Sequence, residues 1–154
     1  MFYVSEIQTE APYHFQTQLQ KKVYETLEKL NMNMVKTLFL CNRQQTDFYL
    51  FITVGNKPFR SKDFSNALDV SRVSFAPAEQ MDAMLSTKIG AATVFSSLLD
   101  SENKVKIVFD KDVLAEEWYG CSDGTTTGYM KVKTDDIYRK FLPFTKHTAT
   151  VIEV

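Results

Sequence analysis

The sequence predicts one α/β domain with a mixed, largely antiparallel sheet and flanking helices. Apolar residues recur with helical spacing in some segments and alternate as in strands in others. Several predicted strands follow each other through tight turns with no helix between them, which a doubly wound parallel sheet would not allow. No linker, repeat or low-complexity stretch divides the 154 residues, so we expect a single domain over 1–154.

Composition and charge narrow the functional class. An apolar fraction of 44% with 24% charged residues is ordinary for a soluble globular protein. The chain has no apolar run long enough to span a membrane, and its N-terminus lacks the basic and apolar regions of a signal peptide, so we expect a cytoplasmic protein. A net charge of −1 argues against gripping long nucleic acid by charge alone, although a pocket for the end of one stays open.

The first part of the chain, 1–33, is predicted to form a polar arm and a helix. Three leucines and one valine at spacings of four, four and three give a helix at 16–31 one apolar face. The core of the domain is expected over 34–154. It begins with apolar runs at 37–42 and 47–54, which predict two strands joined as a hairpin.

Turn and cap signals then divide the middle of the chain. GNKP at 55–58 predicts a turn, and a helix at 61–68 opens with a serine cap. A short strand at 72–75 precedes a helix at 76–85, which has a proline in its first turn and acidic residues after it.

The last part of the chain is predicted to be mostly strands. TVFSSLL at 93–99 is predicted as a strand, and the DSEN turn leads into an alternating strand at 105–110. A helix at 134–142 has a threonine cap and acidic residues in its first turn. The remaining strands are predicted at 117–122, 126–133 and 149–154.

Cys41 and Cys121 are predicted to be buried free thiols. Both lie in apolar segments, and neither belongs to a CxxC pair. We therefore expect two free thiols in a reducing compartment, and we prefer this interpretation to a disulfide or a metal-binding role.

The residues of common catalytic centres are mostly missing. His14 lies in the polar arm and His147 in a loop before the last strand, which disfavours a serine–histidine–aspartate triad and a histidine metal site. Gly90 is followed by Ala-Ala-Thr, without the second glycine and the lysine of a phosphate-binding loop. Asp110 and Asp112 fit a solvated turn cap better than a catalytic carboxylate pair.

Separated blocks of the sequence nevertheless resemble one family. They include VKTLFLCNRQQTDFYLFITVGNKPF, KIGAATVFSSLLD and KVKIVFDKDVLAEEWYGCSDGTTTGYMKV, and they follow one another in a single order from about residue 34 to the C-terminus. These blocks resemble the YbaK/ProX family of aminoacyl-tRNA deacylases, which also occurs inserted in bacterial prolyl-tRNA synthetases, and in particular its PrdX-type trans-editing proteins. The resemblance implies the family's barrel-like mixed sheet.

The resemblance also implies an activity. Members hydrolyse the ester that joins a wrong amino acid, typically alanine on proline tRNA, to the terminal adenosine. They use neither a metal nor a side-chain nucleophile, so no cofactor is expected, and water attacks with help from the terminal ribose hydroxyl. The implied partners are the 3′ end of mischarged tRNA and, with it, prolyl-tRNA synthetase or tRNA-delivery factors; membranes and DNA are not expected.

The first implied site residue is Lys36. It falls on the family's key lysine in a K-[TN]-L-F-L block, where it would hold a phosphate near the tRNA 3′ end, with Thr37 beside it in the substrate site. From the residues alone, Lys36 would be a lysine whose apolar stem lies along the strand end while its charge stays in water.

A loop around Gly90 supplies the second implied element. Gly90 matches the glycine of the family's G-x-x-x-P loop, and its freedom in φ lets backbone amides face a ligand. Val94 replaces the proline of that pattern. The small residues between them would leave room for a short amino-acid side chain, whereas from the residues alone they fit simple turn packing; they are Ala91, Ala92 and Thr93.

The third implied element departs from the family, whose members usually have G-[FC]-H-P-x-x-N-T. Gly120 and Thr127 match, whereas Ser122, Asp123 and Thr126 replace the histidine, proline and asparagine. The hydroxyls of Ser122, Thr126 and Thr127 would still donate and accept hydrogen bonds in the substrate site. Without the family, Thr126 and Thr127 would be a β-branched strand start.

Three functions therefore stay open. The chain is a trans-editing esterase, a module that binds a tRNA end or aminoacyl group without cleaving it, or a hydrolase of a small non-tRNA ester. The altered stretch at 120–127 and Val94 favour the second, and the near-neutral charge favours the third. A segment that the family usually carries before the lysine strand is nearly absent at 31–36, where a direct join is physically allowed.

Overall fold

A computed structural model describes residues 3–6, 33–124 and 128–154. The predicted helix at 16–31 and His14 lie outside these ranges, as do Thr126 and Thr127. Within the described ranges no helix is long and apolar enough to cross a membrane. The single domain over 1–154 stays a prediction.

Most strands and helices lie close to their predicted positions. A strand at Tyr3–Glu6, within the predicted polar arm, and a short helix at Lys111–Leu114 were not predicted. The segment 93–99 also differs, as described below. The strands are β1 (Tyr3–Glu6), β2 (Asn33–Asn42), β3 (Phe48–Val54), β4 (Val73–Phe75), β5 (Val105–Asp110), β6 (Trp118–Ser122), β7 (Gly128–Lys133) and β8 (Ala149–Ile152). The helices are α1 (Ser61–Leu68), α2 (Ala78–Leu85), a 3₁₀ helix (Val94–Leu99), α3 (Lys111–Leu114) and α4, which consists of Thr134–Asp136, a π-helical stretch Ile137–Phe141 and Leu142–Phe144.

The described strands form one mixed sheet in the order β1-β7-β6-β2-β3-β5-β8, with β4 paired to β2. The pairs β1–β7, β2–β3, β2–β4 and β6–β7 are antiparallel. The pairs β2–β6, β3–β5 and β5–β8 are parallel. This architecture confirms the predicted mixed α/β fold and the hairpin of β2 with β3.

One edge of β2 is only partly covered by other strands. β3 pairs with 35–41 along the opposite edge, whereas on this edge β6 pairs with 33–34 and β4 with 40–42. An opening therefore lies between β6 and β4 in the described part of the sheet. Backbone groups alternate between the two edges of a strand. Since the carbonyl of Met34 bonds toward the β3 side, the N–H and C=O of Thr37 face the opening.

The two faces of the sheet bury separate apolar clusters. On one face Leu40 and Phe51 pack with Phe64 of α1, and we call this the α1 face. On the other, Phe39 packs in the cluster that includes Met81 of α2, and we call this the α2 face. Because successive side chains of a strand point to opposite faces, even-numbered residues of β2 belong to the α1 face and odd-numbered residues to the α2 face.

The predicted strand at 93–99 is wrong, because Val94–Leu99 forms a 3₁₀ helix. The N–H of Phe95 donates to the Thr93 hydroxyl at 3.2 Å, and the Thr93 N–H donates to the Ser96 hydroxyl at 3.1 Å. This reciprocal cap satisfies backbone donors at the start of the helix. Local hydroxyl–backbone bonds thus outweigh the strand propensity of the β-branched and aromatic residues.

Several predicted caps also differ from the structure. Ser61 is the first residue of α1 and not its cap, because its hydroxyl donates to a backbone carbonyl of β4. Thr134 likewise lies inside α4 without a capping bond, and Pro77 precedes α2 instead of lying in its first turn. Asp110 does cap α3, accepting from the Asp112 N–H at 3.1 Å, but it is buried and not solvated.

Candidate substrate site

A cavity of about 520 Å³ lies at the uncovered edge of β2. Its volume falls in the range of small-ligand sites, which are mostly apolar with a few polar groups. Apolar walls come from β2, α2 and β6, and include Phe39, Met81 and Cys121. Lys36 is the single charged side chain among the described residues that line it.

Most of the residues implied by the family resemblance meet in this cavity. Those that line it are Lys36, Thr37, Gly90, Ala92, Thr93 and Ser122. Ala91 is buried beside the cavity without lining it, and its N–H donates to the Lys88 carbonyl at 3.0 Å. Thr126 and Thr127 lie outside the described residues.

The cavity reaches around the edge of β2 to both faces of the sheet. Lys36 and Phe75 line it from the α1 face, because Phe75 pairs with the even-numbered Leu40. Thr37 and the Gly90 loop line it from the α2 face. A ligand at the open edge therefore contacts a cation on one side and a glycine loop on the other.

The Lys36 ammonium is held by a backbone group. Lys36 is half-buried on the α1 face, where it pairs across the hairpin with Thr53. Its Nζ donates a hydrogen bond to the carbonyl of Lys57 in the turn after β3. The two other protons of an ammonium stay free to donate to an anion, so this contact orients Lys36 without neutralising it.

The turn that holds Lys36 is itself fixed by a buried carboxylate. The Nζ of Lys57 lies 2.7 Å from Asp110 Oδ2 and 2.7 Å from Asp112 Oδ2, and it donates to the Val154 carbonyl at 2.9 Å. Asp110 also accepts from the Thr53 hydroxyl at 2.6 Å. Burial disfavours the charge on Lys57, but the hydrogen bonds that Lys57 donates to the two carboxylates outweigh burial and raise its pKa.

The loop on the α2 face requires its glycine. Gly90 has a φ of +86°, in the left-handed region that side-chain-bearing residues rarely adopt. No heavy atom lies within 4 Å of the position a Cβ would take, so conformation and not space demands glycine here. The hydroxyl of Thr93 caps the following helix, and Val94 is the first residue of that helix.

The end of β6 closes the cavity with polar atoms and a buried thiol. The Ser122 hydroxyl accepts a hydrogen bond from the Gly124 N–H at 3.1 Å. Burial raises the pKa of the neighbouring Cys121 thiol to about 12, and the charge of Asp123 acts in the same direction. Cys121 therefore stays a thiol at neutral pH and is a poor nucleophile.

Other polar groups of the described chain do not belong to this cavity. Four carboxylates and two cations, Lys133 and Arg139, line a separate depression of about 700 Å³. Its described lining is net negative, which disfavours binding of a phosphate there. His147 is buried, with Nε2 3.0 Å from Asp100 Oδ2 and Nδ1 2.9 Å from Thr145 Oγ1, and it ties the loop before β5 to the one before β8. Within the described ranges no cluster of three or more metal-binding side chains occurs.

Two features of the site were not predicted from the sequence. The exposed Phe75 at the cavity rim belongs to a three-residue strand, and a lone aromatic in so short a run carries no functional signal. The Lys57–Asp110 pair joins residues 53 positions apart. The sequence pattern predicts β3 and β5 as strands, but it does not predict that they are neighbours.

Solved structures support the fold. One match is a candidate trans-editing enzyme for prolyl tRNA synthetase, at 13% identity and a TM-score of 0.65, covering 99% of this chain and 87% of that one. Another is a scaffold protein from the computational grafting of epitope backbones, at 13% identity and a TM-score of 0.67, covering 99% of this chain and 86% of the other. At such identities the similarity concerns the fold.

Sequence relatives extend the similarity to a family. The prolyl-tRNA editing protein ProX of Acetoanaerobium sticklandii is 22% identical over 134 residues, which cover 84% of this chain and 81% of that protein. The family model for the aminoacyl-tRNA editing domain matches residues 16–140. Because that match spans most of the chain, the protein belongs to the aminoacyl-tRNA editing domain family, which includes the YbaK/ProX proteins.

Proposed function

We propose that this protein is a trans-acting deacylase that hydrolyses the ester of mischarged tRNA, most of all alanine on proline tRNA. Family membership and the similarity to a prolyl-tRNA editing protein support this function. The observation that carries it is the meeting of Lys36 with the Gly90 loop in one cavity. Its partners are the 3′ end of the tRNA and prolyl-tRNA synthetase or a tRNA-delivery factor, and it acts in the cytoplasm.

Catalysis in this proposal depends on positioning. The described residues that line the cavity include no histidine or carboxylate, and the Cys121 thiol is protonated. A water molecule, aided by the terminal ribose hydroxyl of the substrate, attacks the ester carbon. Lys36 holds a phosphate, while the backbone N–H of Gly90 stabilises the oxyanion. No metal takes part in this scheme.

The amino-acid side chain lies on the α2 face. Ala92 lines the cavity there, and the polar groups around it are the hydroxyls of Thr37, Thr93 and Ser122, joined by Thr126 and Thr127 in the proposal. Small side chains are preferred, but the preference is graded, because a pocket distinguishes one methylene by about 1–3 kcal/mol.

A non-catalytic binding module is the second candidate. Ser122 lies in the cavity where the family usually has a histidine, and this substitution favours binding without cleavage. Deacylation assays with alanyl, seryl and prolyl esters of proline tRNA, and with a free alanyl ester, separate the candidates. An editing enzyme cleaves the alanyl ester of tRNA fastest, a binding module cleaves none, and a small-ester hydrolase cleaves the free ester equally well.

Lys36→Ala tests the site directly. A charge-assisted contact to phosphate is worth about 1.5–3 kcal/mol, so single-turnover deacylation should fall by about one to two orders of magnitude. Lys36→Arg should recover only part of the rate, because arginine keeps the positive charge but replaces a compact ammonium with a wide, planar guanidinium. Lys62→Ala, at an exposed position on α1, serves as control. Parental rates for Lys36→Ala, or an equal loss for Lys62→Ala, would remove Lys36 from the site.

A further inference from the structure

Phe75 is an exposed aromatic ring at the rim of the cavity. It is 63% exposed, although it belongs to a strand paired with the central β2. Single exposed apolar residues are common on protein surfaces. Phe75 differs from Phe144, which is 76% exposed, because Phe75 lines the cavity that contains Lys36 and Phe144 does not.

The ring of Phe75 is fixed from below. Phe59 contacts it edge-on, with centroids 5.6 Å apart and an interplanar angle of 62°. Phe59 in turn packs against Phe51 and Phe64, with centroids 6.1 Å apart in each pair. One side of the ring is thus supported by the α1-face cluster, while much of its surface stays open to a ligand.

The cavity that Phe75 shares with Lys36 favours a ligand with an anionic group and a flat apolar part. Lys36 lies on the same face as Phe75, four residues along β2 from its pairing partner Leu40. A strand rises about 3.3 Å per residue, so Lys36 and the position paired with Phe75 are about 13 Å apart along β2. No carboxylate lies among the described residues that line the cavity. A short run of unpaired nucleotides offers both a phosphate and a stackable base at this separation.

We infer that Phe75 is a stacking platform for an unpaired nucleobase of the tRNA 3′ end. This inference rests on the proposed function and divides the cavity between its two faces. The α1 face, with Lys36 and Phe75, binds the terminal nucleotides, and the α2 face, with the Gly90 loop, receives the amino acid. Base stacking on aromatic side chains is a common way of holding single strands and tolerates any base.

A binding measurement without an ester tests the inference separately from catalysis. The probe is a fluorescent single-stranded RNA that ends in CCA. Its binding is measured by fluorescence anisotropy at a fixed salt concentration. Phe75→Leu should weaken binding about tenfold, and Phe75→Tyr should stay within about twofold of the parent because it restores a ring. Phe144→Leu is the matched control and should bind as the parent does. All variants are also checked by thermal melting.

A second RNA, whose terminal nucleotide lacks its base, identifies the group that stacks. The parent should bind it about tenfold more weakly than the intact RNA, whereas Phe75→Leu should bind the two RNAs with similar affinity. The inference fails if Phe75→Leu binds as the parent does, if Phe144→Leu weakens binding equally, or if Phe75→Leu lowers the melting temperature as a packed core residue would. Binding that depends on Phe75 without any ester cleavage would remove the proposed activity and leave this inference standing.

Discussion

Replacing Lys57 with methionine tests how far the buried Asp110 depends on its cation. Methionine keeps an unbranched stem but removes the charge. Asp110, which is 1% exposed, would keep the Thr53 hydroxyl and the Asp112 N–H as its described partners. Loss of the ammonium would therefore leave a partly satisfied carboxylate in the interior.

The magnitude follows from the burial of the two groups. Removing one partner of a fully buried ion pair costs about 3–5 kcal/mol. The Lys57 side chain is 24% exposed, so solvent screens part of this interaction. We expect Lys57→Met to lose about 2 kcal/mol of unfolding free energy, which lowers the melting temperature of a chain of this length by about 4–8 °C.

Thermal melting followed by circular dichroism at neutral pH measures the effect. Lys111→Met is the matched control, because Lys111 pairs with Glu153 at 3.2 Å on the surface and should change stability by less than about 0.5 kcal/mol. The double variant Lys57→Met with Asp110→Asn should lose less than the sum of its single changes. A Lys57→Met protein that melts within about 1 °C of the parent would refute the reasoning.

The difference in unfolding free energy between the parent and Lys57→Met should depend on pH. The pKa of Lys57 is raised above 10.5, and the hydrogen bond from Lys57 lowers the pKa of Asp112 below 3.8. A raised lysine pKa stabilises the fold at low pH and loses this effect as pH rises through the folded value. A lowered carboxyl pKa loses its effect as pH falls through the folded value. The difference should be full from about pH 5 to 9 and shrink toward both extremes.

One further substitution and one chemical reaction test the surroundings of the cavity. Val94→Pro should fold and melt within about 4 °C of the parent, because Val94 is the first residue of the 3₁₀ helix, where proline's φ fits; a larger loss would contradict this geometry. Cys121 should resist iodoacetamide at pH 8 in the native protein and react in urea, because its pKa of about 12 leaves little thiolate. Labelling is measured by mass spectrometry, and equal rates of Cys121 labelling in the native protein and in urea would contradict its burial.

The sequence predicted the central strands well because their faces are both buried. β3 is apolar along almost its whole length, and this pattern is typical of strands covered on both sides. β5 alternates at its start, where Lys106 is exposed, and is buried from Ile107 onward. The error at 93–99 has a local cause. Val94 and Phe95 favour a strand, but the Thr93 and Ser96 hydroxyls form a capping box in which serine replaces the usual acid or amide.

The site was accessible to sequence reasoning only through the family resemblance. Lys36, Gly90 and Ser122 lie far apart in the chain, and no spacing rule connects them. Their meeting depends on the pairing of β2 with β6 at one end and β4 at the other, which opens the cavity between them. Strand order is a non-local property, so periodicity predicts the strands but not the gap.

The near-neutral charge of the chain is compatible with binding a tRNA end. Four carboxylates line the separate depression, and two more bind Lys57, so they do not face the cavity. The electrostatic interaction of a phosphate in the cavity is mainly with charges close to it, because exposed charges beyond about 10 Å are screened at physiological salt. Lys36 is the described charge that it meets. Under the proposed function, a site that binds only the last nucleotides contacts little of the tRNA body, so a partner such as the synthetase would select the proline tRNA.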